Sequence, residues 1–178
     1  FNPSSNPTNA ANQYNSSMPW IARFKNTINQ QLMNEAVKKI SIIYYLIYTA
    51  TILMTVIGFF INLKSTGFEA PEVSVANILT VGTIAFVSLA LLTGFGLFEI
   101  NKLKWRKIED DKVKFSQYKQ GAILRLLLIG TSLVGGIIVF YILRSENILY
   151  CSAFSAIAVS SSKPSESKII SDLKLKID

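Results

Sequence analysis

The sequence predicts an all-α integral membrane protein: three transmembrane helices, an N-terminal amphipathic helix and a short interfacial segment. Three observations carry that class. Half of the 178 residues are apolar and only 16% are charged, where a soluble domain carries about 25% charged residues. Mean hydropathy is +0.36. Three stretches are long and apolar enough to cross a hydrocarbon core about 30 Å thick, which takes about 20 helical residues.

The elements follow in order. Residues 1–18 form a polar arm with two prolines and no acid or base. It has too little apolar surface to offset the entropy of ordering, so it is read as extended. Residues 19–39 read as an amphipathic helix, because Ile21, Phe24, Ile28, Leu32, Ala36 and Ile40 recur at three- and four-residue spacing. Ser17 can cap it, with Pro19 in its first turn. Trp20 and Arg23 suit a headgroup layer. The helix is either a docking helix for a partner or a surface helix leading into the first span.

A three-span unit occupies residues 40–146. The first span, Ile40 to Leu63, carries no charge. The second lies within the charge-free run Val73 to Phe98. The third is Gly121 to Leu143, with Arg125 as its one charge. Residues 147–160 are too short to span and mix Ser with Ala. They are expected to lie on the membrane or dip into it. In the tail that follows, Ile169, Ile170, Leu173 and Ile177 fit a helix, while Leu173, Leu175 and Ile177 fit a strand equally well.

Lys and Arg gather on the side from which spans are inserted. Arg23, Lys25, Lys38 and Lys39 precede the first span. Lys102, Lys104, Arg106, Lys107, Lys112, Lys114 and Lys119 lie between the second and third. The 64–74 loop has Lys64 against Glu69 and Glu72. The arm and the 99–120 loop are therefore expected on one face, with the 64–74 loop and the C-terminal tail on the other. The net charge of +7 follows from this topology, and no nucleic-acid partner is expected.

Histidine is absent and Cys151 is the single cysteine. An internal disulfide and a Cys/His zinc site are thereby excluded. No nucleophile–base pair can be assembled, so no catalytic residue, no metal site and no enzyme activity are expected. Gly94-Phe95-Gly96 resembles the start of a dinucleotide motif, but Glu99 takes the third glycine position and the context is a spanning helix.

Binding side chains are expected near span ends. Arg125 sits about one turn into its span, roughly 6 Å at 1.5 Å per residue. A mid-bilayer arginine costs about 2.5–3.5 kcal/mol on insertion scales, and less near an end. It is expected to snorkel to the basic face, or to pair there with Glu99 or a ligand phosphate. Without histidine, a chlorophyll would need Asn77, Glu99, Asn101, Gln120, a carbonyl or a water as ligand. Glu99 is the best of these if Arg125 offsets its charge; otherwise it is the first solvated residue after the span. Tyr44 and Tyr48, one turn apart, suit a lipid, a carotenoid, a neighbouring helix or a plain interfacial belt. Few or no centrally ligated pigments are expected. Lipids, chlorophyll or carotenoid are expected at the periphery only. Ala90/Gly94, Thr131/Gly135 and Ser132/Gly136 have the spacing that lets helix backbones approach closely.

A basic helix (FKNTINQQLMNEAVKKI) leads into an apolar span. A second span ends in FGLFEINKLKWRK, and a basic linker precedes GAILRLLLIGTSLVGG. In this order, and in Phe95, Gly96, Leu103, Arg106, Leu133 and Gly135, the chain resembles the family of the 21-kDa component of the chloroplast inner-envelope translocon. That family is also described as a plastid permease and has cyanobacterial relatives. The likeness covers roughly residues 24–143. The family has a fourth span near its end, where this chain has the short 147–160 segment and a polar tail. The resemblance implies a plastid membrane protein kept as a binding or linker subunit.

The expected function is a non-catalytic scaffold or linker subunit of a large membrane complex, in a plastid thylakoid photosystem–antenna supercomplex. The alternative is a protein-import or permease component of the plastid inner envelope. A mitochondrial inner-membrane complex fits the scaffold reading as well. The expected partners are lipids and other membrane-protein subunits that hold both termini, residues 1–18 and 161–178, away from the chain's own helices.

Overall fold

The computed structural model describes residues 19–64 and 72–174, with side chains given from residue 27 onward except that of Lys64. The expectations for the arm 1–18, for Glu69, and for the side chains of Trp20 and Arg23 lie outside the described residues.

Five helices follow one another: α1 (Pro19–Lys64), α2 (Val73–Trp105), α3 (Asp111–Leu143), α4 (Glu146–Ser161) and α5 (Glu166–Leu173). The first three include windows apolar enough to cross a membrane. The amphipathic helix and the first span are one 46-residue helix rather than two elements. At 1.5 Å per residue it is about 70 Å long, over twice the thickness of a hydrocarbon core. Nothing between Lys39 and Ile40 breaks it, because the sequence there holds neither Gly nor Pro. Its buried stripe runs on unbroken through Met33, Ala36, Ile40, Tyr44 and Ile47.

Capping chemistry sets the other boundaries. Asp110 accepts from the Lys112 N–H at 2.8 Å and starts α3. Arg144 ends it in the left-handed region at φ 52°, with its N–H on the Phe140 carbonyl. Ser165 accepts from the Lys168 N–H at 3.2 Å and starts α5.

Helix α3 is the centre. It packs against α1, α2 and α4, while α1 and α2 scarcely meet. Ile47 lies against Gly130 and Gly58 against Tyr141, so α1 and α3 run parallel. Gly94 meets Ile129 and Gly121 meets Trp105, so α2 runs antiparallel to α3. The Tyr141 hydroxyl donates to the Thr55 carbonyl at 3.0 Å and ties the far ends of α1 and α3 together.

The 147–160 segment is the one expected to lie on the membrane or dip into it. It forms α4, which turns back at Arg144 and runs antiparallel along α3. Ser152 sits over Gly136, and Ser155 Oγ lies 3.4 Å from Ser132 Oγ. Both serines are fully or nearly fully buried. Each donates its hydroxyl to its own helix, Ser152 to Ile148 O and Ser155 to Cys151 O, so no polar group is stranded. Sixteen residues reach about 24 Å, most of a hydrocarbon core.

Because α4 returns, the tail changes sides. Helix α5 docks at the end of the bundle that carries Lys102, Arg106 and Tyr118, not at the end near Asn62 and Arg144. The expectation that the tail lies opposite the 99–120 loop is therefore corrected. So is the expectation that residues 161–178 avoid their own chain, for the described part: Ser162, Ile169 and Leu173 are buried against it. Residues 166–173 are helix rather than strand, since Ile169 and Leu173, one turn apart, both face inward.

Candidate functional site

The densest polar and aromatic cluster lies at this basic end, where α2, α3 and α5 meet. Phe98 and Trp105 are seven residues apart and so share one face of α2. Tyr118 and Arg125 share a face of α3 in the same way. Phe98, Trp105 and Tyr118 pack edge to face in a triangle. Their centroid separations are 5.6 Å (Phe98–Trp105), 5.6 Å (Phe98–Tyr118) and 5.8 Å (Trp105–Tyr118), the separation aromatic pairs prefer. Gly121 makes room: a Cβ there would stand 2.1 Å from the Trp105 ring.

Arg125 lies beside this triangle and only 8% of its surface is exposed. Its guanidinium carbon stands 4.2 Å from the centroid of Phe95 and 5.0 Å from that of Phe98. Contacts of this kind stabilise a desolvated cation by about 2 kcal/mol. The expected snorkelling does not occur. The side chain stays between the helices because two aromatic faces of α2 receive it and α5 covers the way out.

Glu99 does not pair with Arg125. It bonds Lys102 one turn along α2, at 2.6 Å, and is largely exposed. A partner three residues away on the same helix costs less ordering than one on another helix. Asp172 of α5 is the carboxylate that enters the cluster. It accepts from the Tyr118 hydroxyl at 2.8 Å and lies 3.5 Å from Lys102 Nζ, while its carbonyl accepts from Arg106 Nε at 2.7 Å. Lys168, one turn earlier, donates to the Ser161 carbonyl at 2.6 Å.

The remaining expected site residues are dispersed. Asn101 is half-buried on the α2–α3 seam, where it shares a small cleft with Arg125, Leu97 and Leu124. Asn77 and Gln120 are exposed on separate helices. Tyr44 is buried rather than presented outward, and the Tyr48 hydroxyl bonds Ser160 at the end of α4. Of the alternatives the sequence left open, a neighbouring helix is the one seen for half-buried Tyr48; Tyr45 is the tyrosine exposed there.

Sequence reasoning missed Trp105, Tyr118, Lys168 and Asp172. The seven-residue spacings 98/105 and 118/125 were the available signal. For α5 none existed, because its place depends on α4 turning back. It also missed a second feature at the opposite end, an apolar cavity of about 270 Å³ between α1 and α3, lined by Met54, Ile57, Ile138 and Tyr141 among others. Among the described residues, no three His, Cys, Asp or Glu side chains come together.

The fold and cluster define a class, an all-helical integral membrane protein whose basic end is closed by its own C-terminal helix. No family model, curated protein or solved structure matches the chain.

Proposed function

We propose that the chain is a non-catalytic scaffold subunit of a multi-subunit membrane complex. The observation that carries this reading is a division among its glycines. At Gly58, Gly121, Gly130 and Gly136 a Cβ would come within 2.6 Å of another side chain of the same chain, so internal packing accounts for them. At Gly82, Gly96 and Gly135 a Cβ would meet nothing within 4 Å. A glycine within a helix costs about 1 kcal/mol relative to alanine, and nothing among the described residues repays that at these three positions. Small residues on an outer face let a second helix approach closely. Gly82 and Gly96 are both exposed on α2. The plastid thylakoid setting of the proposal rests on the resemblance over residues 24–143 alone.

The test replaces Gly82, Gly96 and Gly135 by Leu and follows the chain by native electrophoresis of solubilised membranes. The expected result is loss of the high-mass band with membrane insertion unchanged. An unaltered band would refute the scaffold reading.

The second reading, an envelope translocon or permease component, gains support from α4. That helix runs back along α3 where the resembling family has its fourth span. Solute uptake by liposomes holding the purified chain alone would favour it over the scaffold.

A further inference from the structure

The guanidinium of Arg125 makes no hydrogen bond among the described residues, and its buried Nε is without a partner. Arg125 and Lys168 line one cavity of about 20 Å³, together with Tyr118, Ser162, Pro164 and Ile169. One water needs about 10–15 Å³ measured in this way. The cavity thus admits a single group of that size and is too small for a phosphate.

Charge decides which group suits it. The ionised side chains that act on Lys168 are Arg125, Lys102, Asp172 and Glu99. With Lys168 itself they make three cations and two carboxylates. Glu99 is held by Lys102, and Asp172 by Lys102 and Tyr118. One positive charge is left over, beside two cationic side chains that share a cavity. Burial, and then the charge of Arg125, press the Lys168 ammonium below the usual lysine range. A water would satisfy a donor there but leave the charge in place.

The geometry points to a binding site for one monovalent anion of chloride's size between Arg125 and Lys168, closed over by α5. The anion accepts from the Arg125 guanidinium, whose buried Nε has no partner, and from the N–H groups of Lys168 not used on the Ser161 carbonyl, and it neutralises the cluster. It joins α3 to α5 and so holds the C-terminal helix on the bundle. This inference does not depend on the scaffold reading.

The test uses the full chain in nanodiscs of neutral lipid. Radiochloride binding is measured directly. Unfolding midpoints are compared in chloride, bromide, gluconate and phosphate at matched ionic strength, and in gluconate with acidic-lipid nanodiscs. The expected results are one chloride per chain and higher midpoints in chloride and bromide than in gluconate, as follows when a ligand binds only the folded state. Phosphate and acidic lipid are expected to leave the midpoint at its gluconate value. Lys168→Gln should weaken chloride binding on the order of tenfold while matching or exceeding the wild-type midpoint in gluconate. Exposed Lys163→Gln should bind as the wild type does. Equal midpoints in chloride and gluconate without radiochloride binding would show a water site and overturn the proposal. So would a rise confined to phosphate or acidic lipid, an unchanged affinity in Lys168→Gln, or an equal loss in Lys163→Gln.

Discussion

At Gly121 a Cβ atom would stand 2.1 Å from Cη2 of Trp105, and the indole is itself wedged against Phe98 and Tyr118. At Gly130 the nearest atoms belong to Ile47, at 2.6–3.0 Å, farther off than the Trp105 ring is from Gly121. At Gly135 there is open space. The same one-carbon change should therefore have three outcomes. Gly121→Ala is expected to destabilise by roughly 1–3 kcal/mol, the usual cost of overpacking. Gly130→Ala should cost less, and Gly135→Ala should stay within about 0.5 kcal/mol. Unfolding of the purified monomer in detergent measures all three. Equal losses at Gly121 and Gly135 would show that the Trp105 contact does not govern the first.

Helix α5 has eight residues, too few to be stable alone, since isolated helices below about 12–15 residues are marginal in water. Its docking therefore decides its folding. Ile169 and Leu173 supply apolar burial, and Asp172 supplies the polar ties to Tyr118, Lys102 and, through its carbonyl, Arg106. Removing the carboxylate leaves the hydroxyl of buried Tyr118 without its acceptor, at a cost of about 1–3 kcal/mol. Asp172→Ala should accelerate amide exchange across residues 166–173 and leave α3 protected. Exposed Ser171→Ala should not. Unchanged exchange in Asp172→Ala would mean that the apolar contacts alone hold α5. Helix α4 is different: its buried Ser152 and Ser155 bond within the helix, and its seat depends on fit against Gly136 and Ser132, with the Tyr48–Ser160 bond to α1 at its end.

Three helices, α1, α2 and α3, are long and apolar enough to cross a membrane. Helices α1 and α3 run one way, α2 and α4 the other, and α5 closes the end where the basic residues collect. That end holds Lys38, Lys39, Lys102 to Lys119 and, through α5, Lys168 and Lys174. A strong cation asymmetry of this kind sets the orientation during insertion. Single cysteines placed at Lys112 and Lys174 in a Cys151→Ala background should label from one side of sealed vesicles, and one at Glu72 from the other. Labelling of position 174 together with position 72 would show that α4 does not cross.

Hydropathy and charge are properties of a segment, so the spans Ile40 to Leu63, Val73 to Phe98 and Gly121 to Leu143 were legible in the sequence. The buried stripe through Ala36 and Ile40 was legible too, as were the close-packing pairs Ala90/Gly94 and Ser132/Gly136, because helical periodicity places them on one face whatever lies opposite. The sequence by itself thus determined an all-helical membrane protein with one basic end. The tertiary structure decided which faces meet. Arg125 went to Phe95 and Phe98 rather than to Glu99, since Glu99 had a cation one turn away on its own helix. A short serine-rich stretch became a helix laid along α3, where Gly136 leaves space for Ser152. The tail, equally suited to helix or strand, became a helix on the basic end because α4 carried it there, where Asp172 found Tyr118 and Lys102. Such choices rest on contacts between residues far apart in the chain, and no local pattern encodes the partner.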